Sequence, residues 1–167
     1  MIRDATPADA GAIAAIYNHA VEHTTAVWNE VTVDAANRLR WMEDRQGAGF
    51  AVLVAVEGDV IAGYGAYGAF RAFDGYRLTV EHSVYVAPDA QGRGLGRAIL
   101  SALMDRAARA GFHAMIGAIE SGNTGSLALH RALGFAEVGR LPQVGQKFGR
   151  WLDLTLMQKL LDERARP

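Results

Sequence analysis

The residues best suited to chemistry lie in a glycine-rich segment that follows a run typical of a strand. Residues 91–97 carry Gly92, Gly94 and Gly96 at alternate positions, and the residues that follow predict a helix. Glycines let backbone N–H groups approach a ligand, and the first turn of a helix offers unpaired N–H groups with partial positive charge. The segment therefore predicts a site for a phosphate-bearing molecule, with a glycine turn lacking any ligand as the alternative.

The same loop does not fit two common nucleotide-binding patterns. The phosphate loop of nucleoside triphosphatases has two glycines separated by four residues, followed by Lys and then Ser or Thr, and the chain has no such run. The dinucleotide fingerprint Gly-x-Gly-x-x-Gly, started at Gly92, would need a third glycine where Arg97 stands. The sequence therefore disfavours both ATP and NAD as the ligand.

Two segments carry a family resemblance. The Gln-x-x-Gly-x-Gly pattern of residues 91–96 resembles the pyrophosphate loop of the GCN5-related N-acetyltransferases (GNAT). Residues 123–135 resemble the segment of that family in which an Asn begins a short helix and Gly-Phe closes it, and the spacing between the two segments also matches. The resemblance implies the GNAT fold, an α/β architecture with a single mixed, largely antiparallel central sheet, helices on both faces, and a splay at the acetyl-CoA site.

A narrower resemblance covers nearly the whole chain. Residues 16–21, 79–86 and 144–153 are similar to the phosphinothricin and methionine sulfoximine N-acetyltransferases. The resemblance implies transfer of an acetyl group from acetyl-CoA to the free amine of a small amino-acid-like substrate, most closely methionine sulfoximine, methionine sulfone or phosphinothricin. It also implies a homodimer and a connection to antibiotic or herbicide resistance. Two alternatives stay open: acetylation of another amine, such as a polyamine or a protein N-terminus, and a coenzyme-binding regulatory module without turnover.

The expected acetyl-CoA site combines a strand, the glycine loop and a short helix. Backbone groups of Val84 and Val86 are expected to pair with the pantetheine amides, and the N–H of Val84 is a candidate oxyanion donor. The full set of cofactor-binding candidates is Val84, Tyr85, Val86, Gln91, Gly92, Arg93, Gly94, Leu95, Gly96, Arg97, Asn123 and His130. No metal is expected, because the five histidines show no convincing metal-ligand spacing.

Two residues are candidates for catalysis. An amine attacks a thioester only as the free base, so a positioned carboxylate helps, and the similar enzymes have their catalytic Glu where this chain has Glu81. The wider family has a Tyr four residues before the closing Gly-Phe, whereas this chain has His130, which predicts a partner for the departing thiolate. The alternatives are a salt-bridged strand carboxylate for Glu81 and coenzyme contact without proton transfer for His130.

The substrate pocket is predicted from residues that suit an amino acid. The planar guanidinium of Arg71 matches a carboxylate, and Trp28 would form an apolar wall. His82 should face away from Glu81 because strand side chains alternate, so a buried, satisfied histidine is its alternative. Asn123 is expected to cap a helix, to bind ligand, or both. The complete set of substrate-binding candidates is Trp28, Arg71, Ala72, Phe73, Glu81, His82, Asn123 and Lys147, and Lys147 has the dimer interface as its alternative.

Composition limits the remaining possibilities. A length of 167 residues predicts a single N-acetyltransferase domain, 1–167, and the formal net charge of −1 predicts no nucleic acid or membrane partner. The chain has no cysteine, which excludes disulfides and a thiolate nucleophile, and no signal-peptide pattern is recognised, so a cytoplasmic location is expected.

Hydrophobic periodicity and turn residues predict the order of the elements. Helices are predicted at residues 7–23, 33–46, 95–110 and 126–133. Strands are predicted at residues 2–5, 50–57, 60–67, 77–86, 112–119, 135–140 and 151–158. Residues 142–149, which include Pro142 and Gly145, are predicted to form a loop.

Overall fold

A seven-stranded sheet is the centre of the computed structural model, which describes residues 1–167. Its strands are β1 (Ile2–Asp4), β2 (Val52–Glu57), β3 (Val60–Ala69), β4 (Thr79–Val86), β5 (Ala114–Glu120), β6 (Ala136–Lys147) and β7 (Arg150–Leu160). The helices are α1 (Ala10–His23), α2 (Ala35–Gly47), α3 (Leu95–Arg109) and α4 (Thr124–Ala132). The strand order is β1-β2-β3-β4-β5-β7-β6, and only β4 and β5 run parallel, which confirms the mixed, largely antiparallel sheet.

Helices cover both faces of the sheet, and each face has its own apolar core. On one face, α1 and α2 pack against β2 and β3 through side chains such as Ile13, Met42 and Tyr64. On the other face, α3 packs through Ile99 and Leu103, among others. Because side chains alternate along a strand, successive residues of the central strands belong to different cores.

The two parallel strands separate partway along their length. The pairing of β4 with β5 runs from Thr79 opposite Ala114 to His82 opposite Gly117 and then stops. Both strands continue beyond that point, β4 to Val86 and β5 to Glu120. The predicted splay is therefore confirmed, and it begins at the last pair, His82 and Gly117.

Side-chain hydrogen bonds fix the start of α2 and the turn that precedes α1. The carboxylate of Asp34 accepts a hydrogen bond of 2.7 Å from the backbone N–H of Asn37, so α2 begins at Ala35 rather than at the predicted residue 33. Residues Pro7–Asp9 form a 3-10 turn before α1. Arg3 and Thr6 donate hydrogen bonds to the carboxylate of Asp9. These bonds hold the turn against β1 and lower the pKa of that carboxyl to about 2.

The predicted loop at residues 142–149 is wrong, because β6 continues to Lys147. The strand accommodates Pro142 by shifting its register against β7 between Leu141 and Gly145, and Gln143 takes a positive φ of 52°. A proline is tolerated there because β6 is the edge strand and one side of it needs no ladder hydrogen bond.

Candidate active site

The splay between β4 and β5 opens into a cleft of about 760 Å³. The end of α1, the second half of β4, the glycine loop, the end of β5 and the start of α4 line it. Eleven of the predicted site residues line this cleft: His82, Val84, Tyr85, Val86, Gln91, Gly92, Gly94, Leu95, Gly96, Asn123 and His130. The chain thus brings together ten of the twelve predicted cofactor residues, all except Arg93 and Arg97.

The glycine loop forms an open cradle at one end of the cleft. Gly92 and Gly94 have φ angles of +77° and +80°, a left-handed backbone conformation in which glycine is favoured, and no atom lies within 4 Å of either Cβ position. Gly94 caps α3 without a side chain, so the first-turn N–H groups of the helix have no side-chain acceptor. The cradle therefore fits a diphosphate, which supplies oxygen acceptors for such groups.

Two arginines of this loop contribute differently from the glycines. The guanidinium of Arg93 is bound to the Glu57 carboxylate at 3.1 Å and to the carbonyl of Asp89, which directs it away from the cleft. Arg97 is exposed and, like Arg93, does not line the cleft. Any contact from Arg93 to a ligand therefore has to come through its backbone or after the Glu57 ion pair opens.

The edge of β4 that faces β5 is unpaired within the cleft. Residues from Ser83 to Val86 pair with β3 on one side and have no partner strand on the other. Unpaired backbone groups on a strand edge bind an extended amide chain as an added strand would. This edge therefore fits the pantetheine arm of a coenzyme, as the sequence predicted for Val84 and Val86.

A pair of buried histidines forms part of the lining of the cleft. Nε2 of His82 is 3.0 Å from Nε2 of His130, and Nδ1 of His130 is 2.7 Å from the carbonyl oxygen of Ser126. Burial, with a smaller contribution from His130, lowers the pKa of His82 to about 3, and burial also lowers the pKa of His130. Both rings are therefore neutral near neutral pH.

Glu81 points to the opposite face of the sheet, as strand alternation predicts. It is half-buried on the α1 and α2 side, next to but outside the cleft. Burial raises the pKa of its carboxyl, and the nearby charges of Arg71 and Arg45 act in the opposite direction. A carboxylate with a raised pKa at the start of the splay is suited to accept a proton.

Arg71, Ala72 and Phe73 are exposed in the loop between β3 and β4. The guanidinium of Arg71 lies over the ring of Phe70, 4.3 Å from its centroid, and donates to the carbonyl of Phe70 at 3.1 Å. The structure therefore puts this trio at the rim, on the side of Glu81 and outside the cleft that holds the glycine loop.

Trp28 and Lys147 are not brought to the cleft. The amino group of Lys147 donates to the carbonyls of Ala20, Thr24 and Val27, and the residue is only 1% exposed. The ring of Trp28 covers Gly145, where it fills the space of a Cβ, and its Nε1 donates to the carbonyl of Thr25 at 2.9 Å. Both residues thus fix the segment after α1 against β6.

Several residues near the site were missed in the sequence. Glu120 accepts hydrogen bonds from the Thr25 hydroxyl at 3.1 Å and from the N–H of Gly122 at 2.8 Å, which ties the end of α1 to the end of β5 across the cleft. Gly117 makes room for the histidine pair, and Arg45 reaches Glu81 from α2. No local pattern marks these residues, because each acts through contacts distant in sequence.

Two further features concern possible ligands and surroundings. No group of three or more His, Asp or Glu side chains is arranged to hold a metal ion. None of the four helices combines the length and the apolar character needed to cross a membrane.

Comparison with known proteins assigns the family. Residues 13–135 match the model of the acetyltransferase (GNAT) family, and the chain belongs to that family. The chain is 58% identical to the L-amino acid N-acyltransferase MnaT of Escherichia coli strain K12, over 99% of this chain and 96% of that protein. It is also 58% identical to the L-methionine sulfoximine/L-methionine sulfone acetyltransferase of Salmonella typhimurium, over 99% and 97%.

More distant relatives and a solved structure agree with this assignment. The phosphinothricin N-acetyltransferase of Alcaligenes faecalis is 42% identical, over 92% of this chain and 79% of that protein. The structure of yncA from Salmonella typhimurium with its cofactor acetyl-CoA superimposes with a TM-score of 0.98 at 57% identity, over 100% of this chain and 96% of that chain. The resemblance to the family inferred from the two sequence segments is therefore confirmed.

Proposed function

We propose that this protein transfers the acetyl group of acetyl-CoA to the free amine of a small amino acid, with methionine sulfoximine, methionine sulfone or phosphinothricin as the favoured substrates. The observation that carries the proposal is the meeting of three features at the splay: the glycine cradle, the unpaired edge of β4, and a half-buried Glu81. The relatives reported above act on amino acids of this kind by name, which supports the same substrate class here.

Acetyl-CoA supplies an acetyl group held as a thioester, which is activated toward amines. The glycine loop binds the diphosphate through N–H groups, and the free edge of β4 holds the pantetheine arm. The N–H of Val84 is available on that strand to stabilise negative charge on the acetyl oxygen. Glu81 accepts the proton of the ammonium group, directly or through water, so that the nitrogen is nucleophilic.

The departing thiolate requires a proton or a hydrogen bond, and His130 is the residue proposed for contact with it. Nδ1 of His130 faces the carbonyl of Ser126, and its Nε2 faces His82. In this arrangement His130 has no proton free for a further acceptor. Direct protonation of the thiolate by His130 therefore requires its hydrogen bond to Ser126, which uses its one proton, to open first.

The charges around Glu81 favour an amino acid over a polyamine. Arg71 and Arg45 both lower the pKa of Glu81 through their positive charge, so the surroundings of this carboxylate are cationic. A polyamine carries several positive charges and is repelled there, whereas an amino acid brings a carboxylate that is attracted. The alternatives of a polyamine substrate and of a module without turnover are separated by one assay.

That assay measures release of the coenzyme thiol with a panel of amines. Methionine sulfone, methionine sulfoximine and phosphinothricin are expected to be turned over faster than spermidine or a peptide with a free N-terminus. Preference for spermidine would overturn the substrate class. Saturable binding of acetyl-CoA with no transfer to any amine would show a coenzyme-binding module instead.

We infer that the functional unit is a homodimer. Large apolar side chains on β6 and β7 are exposed, including Val144 at 52% and Trp151 at 68%, and such a patch on an edge hairpin is typical of an interface. Sedimentation equilibrium is expected to give twice the mass of one chain. The double variant Val144→Glu with Trp151→Glu is expected to sediment as one chain, and a wild-type monomer would contradict the inference.

Acetylation of the amine removes the positive charge by which an amino-acid mimic is recognised. We therefore propose that the protein protects cells against such mimics, in the cytoplasm where acetyl-CoA is available. Expression in a sensitive bacterium is expected to restore growth on methionine sulfoximine. The Glu81→Gln variant is expected not to do so, and equal growth with both proteins would contradict the proposal.

A further inference from the structure

Two buried side-chain atoms have no hydrogen-bond partner, one on β4 and one on α2. One is Nδ1 of His82, and the other is Nε of Arg45. Buried polar groups are almost always satisfied, so each exception requires an explanation. Arg45 lies on the same side of the sheet as Glu81, the expected base.

The position of Arg45 follows from strand register. Its guanidinium fills the space that a Cβ on Gly68 would occupy, with Cζ 3.0 Å from that position. Gly68 is paired directly with Glu81 across β3 and β4. Directly opposed residues of antiparallel strands project to the same face with Cβ atoms about 5 Å apart. The guanidinium of Arg45 is therefore the immediate neighbour of the Glu81 side chain.

No acceptor within the protein satisfies this guanidinium. Arg45 lies 5.2 Å from the centroid of the Trp41 ring, and that contact does not use its N–H groups. Burial and the charge of Arg38 lower the pKa of Arg45, while the charge of Glu81 acts in the opposite direction without forming an ion pair. Glu81 forms no ion pair with any cation. A guanidinium and a carboxylate that are neighbours without pairing suit a ligand that carries both charges.

An α-amino acid has this pattern of charges. Its amine and carboxylate are attached to one carbon, so the nitrogen lies roughly 3 Å from the nearer carboxylate oxygen. With the nitrogen at Glu81, the carboxylate has to be bound by a cation close to that residue. Arg71 and Arg45 both act on Glu81 through their charge, but Arg71 is exposed at the rim and stacks on Phe70, whereas the half-buried Arg45 has no such contact for its N–H groups.

We propose that Arg45 binds the α-carboxylate of the acceptor amino acid and determines the specificity for amino acids over simple amines. This inference rests on the proposed function and extends it to a residue of α2 that no sequence pattern marked. The planar fork of the guanidinium offers two parallel N–H donors to a carboxylate. Glu81 and Arg45 then hold the two ends of the same zwitterion, which orients the nitrogen for attack.

The test compares two acceptors that differ only in the carboxylate: L-methionine sulfone and 3-(methylsulfonyl)propylamine. Arg45→Gln is expected to lower kcat/KM for methionine sulfone roughly 10- to 100-fold, mostly through KM, because a hydrogen bond to a charged group is lost. The same variant is expected to change kcat/KM for the amine less than about 3-fold, because that acceptor has no carboxylate to lose. Arg40→Gln, at an exposed position of the same helix, is the matched control and should alter neither value.

Two further variants keep the test informative if Arg45→Gln is poorly folded. Arg45→Lys keeps the charge without the fork and should recover part of the loss for methionine sulfone. Gly68→Ala displaces the guanidinium without changing Arg45 and should reproduce the selective loss. Equal losses with both acceptors would assign Arg45 a structural role, and no loss would exclude it as a ligand. If the wild-type protein does not acetylate methionine sulfone, the proposed function itself fails.

Discussion

Nε2 of His82 and Nε2 of His130 lie 3.0 Å apart, and their rings are stacked with centroids 5.0 Å apart. Only one proton fits between the two nitrogen atoms. The carbonyl of Ser126 can only accept, so the nitrogen of His130 that faces it, Nδ1, carries a proton. In the neutral pair, Nε2 of His130 is therefore the acceptor and Nε2 of His82 the donor, which leaves Nδ1 of His82 without a proton.

The neutral state of His82 makes stability depend on pH. Its pKa in the folded protein is about 3, below the ordinary value of 6.5, so the unfolded chain takes up the proton first. The contribution of neutral His82 to the free energy of unfolding is complete above pH 6.5. It is lost as the pH falls from 6.5 toward 3, at up to about 1.4 kcal/mol per pH unit. Urea unfolding at pH 7, 6 and 5 measures this loss.

His82→Gln is the comparison for that experiment, because glutamine keeps an N–H donor and does not titrate. His130 titrates in both proteins, so its contribution largely cancels. The free energy of unfolding of the wild type, relative to the variant, is expected to fall by about 1.2 kcal/mol between pH 6 and pH 5, because the unfolded histidine is already partly protonated at pH 6. A constant difference from pH 7 to pH 5 would show that His82 is not held neutral.

Gly117 gives the histidine pair its space, which predicts a large effect from one methyl group. A Cβ at this position would lie 3.0 Å from Nε2 of His82 and 3.1 Å from Nε2 of His130, so both rings have to move. Gly117→Ala is expected to destabilise the protein by about 1–3 kcal/mol, because the site is already packed. The midpoint of urea unfolding measures the change.

The matched control is Gly139→Ala, also in a strand. No atom lies within 4 Å of its Cβ position, and its φ angle is not positive. A change within about 0.5 kcal/mol is expected there, as for other surface substitutions. Equal effects at both glycines would show that the histidine pair tolerates the methyl group.

Much of the fold was predictable because its signals are local. The prediction of α3 at residues 95–110 is confirmed within one residue, since glycines precede the helix and its apolar residues recur with helical spacing. The extension of β6 to Lys147 was not predictable, because Pro142 and Gly145 favour a loop locally. Pairing with β7 overrides that preference, and such pairing is a tertiary effect.

Part of the candidate site was likewise predictable from local sequence, and part of it was not. Most of the predicted cofactor residues lie in one stretch of the chain, between Val84 and Gly96, so one local pattern identified them. The positions of Arg45 and Gly117 depend on strand pairing. Arg45 lies against Gly68 of β3, which pairs with Glu81, and Gly117 of β5 pairs with His82. This strand pairing cannot be predicted from one sequence, because it depends on which strands become neighbours in the sheet.

Lys147 is expected to matter for stability rather than for substrate contact. Its ammonium group is buried and donates to three carbonyls at the end of α1 and in the segment that follows. Lys147→Met leaves these carbonyls without their donor and is expected to cost about 2–3 kcal/mol. Guanidinium unfolding monitored by tryptophan fluorescence measures the loss.

Lys159→Met serves as the comparison, because Lys159 donates to one carbonyl only, that of Leu133 at 2.6 Å. A loss of about 1 kcal/mol is expected there. If Lys147→Met were as stable as the wild type and raised only the KM of the amine, Lys147 would be a substrate residue, as the sequence first suggested.

Glu81→Gln is the most direct test of the proposed base. Burial raises the pKa of Glu81 above its ordinary value of 4.5, and only the ionised form accepts a proton. Turnover is therefore expected to be complete above the raised pKa and to fall as the pH drops through it, which puts the acidic limb of the profile above pH 4.5. The glutamine variant is expected to lose about 10²- to 10⁴-fold in kcat, together with that limb, while the KM for acetyl-CoA stays the same.

Glu43→Gln, exposed on α2, should keep both the rate and the limb. A Glu81→Gln protein with an unchanged acidic limb would show that another group is the base.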